Sequence, residues 1–224
     1  MSKPEFDQYA ANYDRVLEGA MPMGLGESGY FAEYKIRLMA RLLRGRAPSR
    51  VLDFGCGAGR SLPYLQNFFP DAECWGYDVS QESLKFAAHQ LPAARLSNDW
   101  SVIGRQQFDV VLAANVFHHI SPADRVSTLQ SCRSILAPRG QLFLFEHNPF
   151  NPLTRRVFER CPFDADAEMF DLNRACEMAR QAGFSSERHG YTLFFPRPLA
   201  WLRRLEPILT AVPLGAQYYV QMAS

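Results

Sequence analysis

The nine residues Val51-Leu52-Asp53-Phe54-Gly55-Cys56-Gly57-Ala58-Gly59 constrain the fold of this chain more than any other stretch. A short apolar run stops at three alternating glycines, and a helical pattern with Leu62, Leu65 and Phe69 on one face follows. Glycines at such a turn let the backbone reverse sharply and let a ligand approach the main chain. A nicotinamide fingerprint of the form GxGxxG would need glycine at position 60. Arg60 stands there and is too bulky for that close helix–strand contact, so a dinucleotide site is disfavoured.

Around this unit, strand and helix patterns alternate. Glu27 to Arg44 places Phe31, Tyr34, Leu38 and Leu42 on one helical face. After the glycine loop come a strand at Cys74–Tyr77, a helix at Ser80–Gln90, a short strand at Ala94–Leu96 and a buried strand at Phe108–Ala113. A helix at Ala123–Leu136 and a strand at Gln141–Phe145 follow, then a helix from an Asp171 cap to Ala182 and strands near Glu187–Phe195 and Gln217–Met222. Such alternation implies right-handed crossovers and a mostly parallel sheet covered on both faces, an α/β fold. Two segments fall outside it. Prolines at 149, 152 and 162 interrupt residues 148–166, read as a lid, and residues 1–30 form an N-terminal cap on a single domain spanning 1–224.

VLDFGCGAG resembles the first motif of the class I S-adenosylmethionine-dependent methyltransferases, in which two hydrophobic residues, Asp and a hydrophobic residue lead into Gly-x-Gly-x-Gly. The resemblance implies a Rossmann-like, seven-stranded sheet with an antiparallel last strand, S-adenosyl-L-methionine as cofactor, and Asp53, Gly55, Cys56, Gly57 and Gly59 as residues that bind it. Asp78 ends the second strand about 20 residues after the loop, where a carboxylate can accept both ribose hydroxyl hydrogens, and Val79 follows it. Asp99 and Trp100 match the positions that meet the adenine. FDVVLAANVFHHI matches the family pattern FDxVxxxxxxHH, which places Asn115 and Val116 along the methionine part. The segment FDQYAANYD resembles an aromatic stretch that covers the cofactor in small-molecule members, with Tyr9 and Tyr13 as its lid residues.

Methyl transfer is an in-line displacement at a carbon activated by a positive sulfur, so holding the acceptor in line supplies much of the catalysis and no metal is required. A hydroxyl acceptor is helped by a base, and His118, His119 and His147 stand at the carboxyl edge of the sheet where such a base belongs. Arg155 and Arg156 in the lid are suited to gripping a carboxylate or phosphate on the acceptor.

A net charge of +1 over 224 residues gives no field to draw nucleic acid, and no apolar run approaches the roughly 20 residues of a membrane span. A small-molecule acceptor, methylated at oxygen or nitrogen, is therefore the leading expectation. A lipid acceptor met through the amphipathic LAWLRRLEPILTAV stretch and a non-catalytic cofactor-binding protein are the alternatives. Five scattered cysteines without a CxxC pair and a polar N-terminus suggest reduced thiols and a cytoplasmic protein.

Overall fold

The computed structural model describes residues 28–224. Its seven strands are β1 (Arg50–Phe54), β2 (Glu73–Tyr77), β3 (Arg95–Ser97), β4 (Phe108–Ala114), β5 (Leu136–His147), β6 (Ser186–Thr192) and β7 (Gln217–Ala223). They form one sheet in the order β3-β2-β1-β4-β5-β7-β6. β1 to β5 pair in parallel, whereas β7 runs antiparallel to both β5 and β6. This is the mostly parallel α/β sheet with an antiparallel last strand that the sequence implied. The helices are α1 (Ser28–Leu42), α2 (Leu62–Phe68), α3 (Gln81–Gln90), α4 (Trp100–Ile103), α5 (Arg125–Ser134), α6 (Pro152–Arg160), α7 (Leu172–Gln181) and α8 (Glu206–Leu209).

Side chains alternate across each strand, so every central strand feeds two cores. Val51, Val110, Leu112, Phe143 and Phe145 meet Ile36 and Met39 of α1 and Leu62 and Leu65 of α2. Leu52, Val111, Ala113, Leu142 and Leu144 face the opposite way onto Leu129 of α5 and Ala175 and Ala179 of α7. Burial on both faces is why these strands read as unbroken apolar runs, each large side chain contributing about 1.5–3 kcal/mol.

Capping residues set the helix starts. Ser80 Oγ accepts from the Ser83 amide at 3.0 Å, and Asp171 does the same for Arg174 at 2.8 Å. In the lid the prolines bracket a helix rather than break it. Pro152 occupies the first turn of α6, where its missing N–H costs nothing, and Asn151 caps the Thr154 amide at 2.9 Å. β5 starts at Leu136, five residues before the expected Gln141: Leu136 pairs with Phe108, and the register shifts before Gln141 pairs with Val110.

Two buried polar side chains hold the connections that frame the sheet's carboxyl edge. Arg125, 3% exposed, donates to the carbonyls of Phe117, Ile120 and Glu168 and lies 4.5 Å over the Phe170 ring. It ties the turn after β4 to the segment that follows the lid helix. Glu206, also 3% exposed, accepts from the Phe194 amide at 2.8 Å and anchors the turn after β6.

Burial raises the Glu206 carboxyl to about 7 despite the amides that face it. A folded-state pKa above the unfolded value of 4.5 means that its contribution is fully present below pH 4.5 and is lost as the pH rises through about 7. Glu206→Gln should therefore flatten this part of the stability profile, removing a pH-dependent contribution of up to about 3 kcal/mol between pH 4.5 and 8. Chemical denaturation at stepped pH measures it. An unchanged slope in the variant would show that Glu206 does not titrate in this range.

Candidate active site

The order of the strands reverses at β1, with β2 on one side and β4 on the other, and ligands of open α/β sheets bind in the crevice this creates. A cavity of about 800 Å³ occupies that place. One end is the glycine loop. The amides of Gly55 and Cys56 both donate to the Tyr77 carbonyl, at 2.7 and 3.0 Å, so the turn after β1 is sewn to the end of β2. Asp78 completes the seam, accepting from the Gly57 amide through Oδ2 and from the Ser80 amide through Oδ1, both at 2.8 Å. Ser80 supplies the cap of α3.

The three glycines do different work. Gly59, at φ +79°, brings the loop against α3, where an added Cβ would stand 2.7 Å from Ala87 Cα. Gly55 passes under Val116, whose Cγ2 would lie 2.5 Å from such an atom. At Gly57, φ +51°, an added Cβ meets nothing within 4 Å. Gly57 thus leaves open space beside the main chain.

Cys56, Val79 and Trp100 also line the cavity, Val79 at 57% exposure and Trp100 edge-on to Tyr77 at 5.3 Å. Asn115 adopts φ +58°, a conformation that costs energy outside glycine, and receives a hydrogen bond from Gln217 of β7 at 3.0 Å. Asp99 lies beside the cavity rather than on its wall, where it caps α4 by accepting from the Ser101 amide at 2.8 Å. Tyr9 and Tyr13 lie outside the described residues.

Asp53 projects from β1 toward α1. It is 2% exposed and its Oδ2 has no hydrogen-bond partner. Burial raises its carboxyl to about 7 against the pull of Lys35, and burial lowers Lys35 to about 8. Lys35 was missed in the sequence, although it carries a signal. It sits between Phe31 and Leu38 on the apolar face of α1, where a lysine has no place unless a charge faces it.

The other end of the cavity gathers the three predicted histidines. His118 is 2% exposed, with Nδ1 2.6 Å from Glu146 Oε2 and Nε2 3.4 Å from Asp164 Oδ1. Glu146 Oε1 in turn accepts from the Val116 and Phe117 amides at 3.0 and 2.7 Å. His119 Nε2 lies 3.4 Å from the same Asp164 oxygen, and the His147 ring is 5.1 Å from that of His118. Burial disfavours charge on His118, but Glu146 and Asp164 outweigh it and raise the group to about 9. Burial and the neighbouring His118 push His119 and His147 down to about 4. Asp164, from the turn after α6, has no sequence signal among the lid's other polar residues.

Arg155 and Arg156 lie away from the cavity wall. The α6 face on the cavity is Asn151, Thr154 and Val157, one helical turn apart, whereas the two arginines are exposed and absent from its wall. Arg155 pairs instead with Glu159 on the same outer face, at 3.8 Å.

Residues 52–142 match a family model described as a methyltransferase domain. The chain is 33% identical over 148 residues to a trans-aconitate 2-methyltransferase of Methylobacterium nodulans, covering 60% of this chain and 55% of that protein. It is 32% identical over 136 residues to a highly reducing polyketide synthase of Leptosphaeria maculans, covering 53% of this chain and 5% of that one. The chain thus spans about half the length, or far less, of these curated relatives. A SAM-dependent methyltransferase structure from Thermotoga maritima superposes with a TM-score of 0.67 at 16% identity, covering 97% of each chain.

The contrast between the loop glycines is measurable. Gly59→Ala should destabilise the fold by about 3 kcal/mol, since left-handed strain of about 1–2 kcal/mol adds to overpacking against Ala87. Gly57→Ala should cost only the strain, while its methyl group narrows the cavity and weakens adenosyl-ligand binding. Thermal melts with and without S-adenosylhomocysteine separate the two. Equal destabilisation with equal ligand response would contradict the division of roles.

Proposed function

We propose that this chain, a member of the class I S-adenosylmethionine-dependent methyltransferases, transfers the sulfonium methyl group of S-adenosylmethionine to an oxygen or nitrogen of a small-molecule acceptor. One observation carries the reading: a single cavity runs from the glycine loop and Asp78 to the His118–His119–His147 cluster. Its volume of about 800 Å³ suits a cofactor with a small acceptor beside it.

In this reading the Asp78 carboxylate accepts the two ribose hydroxyls, and Val79 and Trp100 bracket the adenine. The unpartnered Asp53 Oδ2 receives the ammonium group of the methionine portion, a positive partner for a buried carboxylate. Asn115 and Val116 line the methionine chain where the cavity turns toward the histidines. The acceptor's lone pair attacks the methyl carbon as the C–S bond breaks. The bonding pair goes to sulfur, which becomes a neutral thioether, and the acceptor's proton leaves to the histidine cluster or solvent. Positioning of acceptor and methyl donor supplies the larger part of the rate.

A lipid or lipid-linked acceptor is a second reading, supported by exposed Trp201 and Ile208, at 65% and 77% exposure, in the segment that follows the cavity residues Phe195 and Pro196. No helix among the described residues is long and apolar enough to cross a membrane. Such an acceptor would have to be reached from the surface.

Calorimetric titration should give saturable binding of S-adenosylmethionine and S-adenosylhomocysteine and none of NAD. Asp78→Ala should weaken binding by about 1.5–3 kcal/mol, the loss expected for hydrogen bonds to a charged group. Tight NAD binding, or an Asp78→Ala variant that folds and binds like the parent, would overturn the assignment.

A further inference from the structure

We propose that His118, His147 and Asp164 form a binding site for one divalent transition-metal ion, of the zinc, cobalt or iron(II) class, at the acceptor end of the cavity. One ligand atom from each of the three lies within 4.8 Å of the other two. His118 Nε2 and Asp164 Oδ1 stand 3.4 Å apart. Metal–ligand bonds of about 2.0–2.2 Å place tetrahedral donors roughly 3.4 Å apart, so small side-chain rotations close the set.

The surroundings are those of a metal centre rather than a chance meeting of polar groups. The three residues come from three elements: the turn after β4, the end of β5 and the turn after α6. His118 turns Nε2 toward Asp164 because Nδ1 is held by Glu146, itself buried and fixed by two backbone amides. A carboxylate on the far nitrogen of a ligating imidazole sets the tautomer and strengthens the ligand. Asp164 supplies an anionic ligand, and Glu146 places a second carboxylate behind His118.

Two imidazoles and one carboxylate select a borderline transition metal over magnesium or calcium. Three protein ligands leave coordination positions facing the cavity, the pattern of a site that also takes substrate. There the ion would hold and polarise an oxygen of the acceptor, a role that rests on the methyltransferase reading, whereas binding of the ion does not.

The test uses the full chain stripped with chelator, titrated with zinc against a chromophoric chelator and with cobalt followed by visible absorption. The expected result is one ion per chain, with a cobalt spectrum of low coordination number. Asp164→Ala and His147→Ala should each lose that stoichiometric site, and Glu146→Gln should weaken it by about 10–100-fold. The double change His89→Ala with His189→Ala, the chain's two histidines outside the cavity, should leave it intact. A cooperative thermal melt and a far-UV circular dichroism spectrum like the parent's show that each variant is folded. Absence of stoichiometric binding, binding that survives in folded His147→Ala and Asp164→Ala, or loss confined to the His89/His189 variant overturns the site. If zinc binds as expected and S-adenosylhomocysteine does not, the metal site stands and the methyltransferase reading falls.

Discussion

Two amides donating to one carbonyl, Gly55 and Cys56 onto Tyr77, fix the turn after β1 against the end of β2, and the ligand-binding edge is organised around that seam. It forms only because the backbone enters the left-handed region at Gly55, Gly57 and Gly59, which other residues reach at a cost. Once it is in place, Asp78 lies within 2.8 Å of the Gly57 amide, α2 starts close under α3, and the Gly57 face of the loop stays open. A carboxylate and a bare stretch of main chain then face a cavity between two strands that diverge in order. The geometry comes from steric freedom at three residues, and the chemistry from one acid placed against it.

The opposite end of the cavity is organised by charge. Glu146 and Asp164 flank His118 in a site where water is nearly excluded, and buried carboxylates need compensating positive charge or donors. Backbone amides from the turn after β4 satisfy one oxygen of Glu146, and His118 takes the other. Arg125 holds the same turn from beneath through its peptide carbonyls. Segment 148–166 therefore contributes a charge to this end of the cavity through its turn at Asp164.

Local signals carried much of this from the sequence. Glycine spacing, the acid after β2 and unbroken apolar strands are local consequences of backbone conformation and two-sided burial, and the mostly parallel sheet follows from the alternation they mark, whereas its antiparallel last strand was implied by the family resemblance. Three features were harder to read. The α6 orientation turned on helical phase inside a proline-punctuated segment, so Arg155 and Arg156 could not be told from Asn151 and Thr154 as cavity residues. Asp164 acts through tertiary proximity to residues 45 or 46 positions away. The Glu146–His118 contact crosses from β5 to the turn after β4, and only the sheet register brings those ends together. Lys35 was legible in principle, as a charge on an apolar helical face.

In the proposed reading, one cavity binds the cofactor along the glycine loop and presents its sulfur to the histidine cluster. A crystal structure of the chain with S-adenosylhomocysteine tests this most directly. Ribose hydroxyls are expected within hydrogen-bonding distance of Asp78, the amino group on Asp53, and the sulfur facing His118 and His147 across the remaining space. A ligand bound away from the Gly57 main chain, or with its sulfur turned away from the histidines, would contradict it.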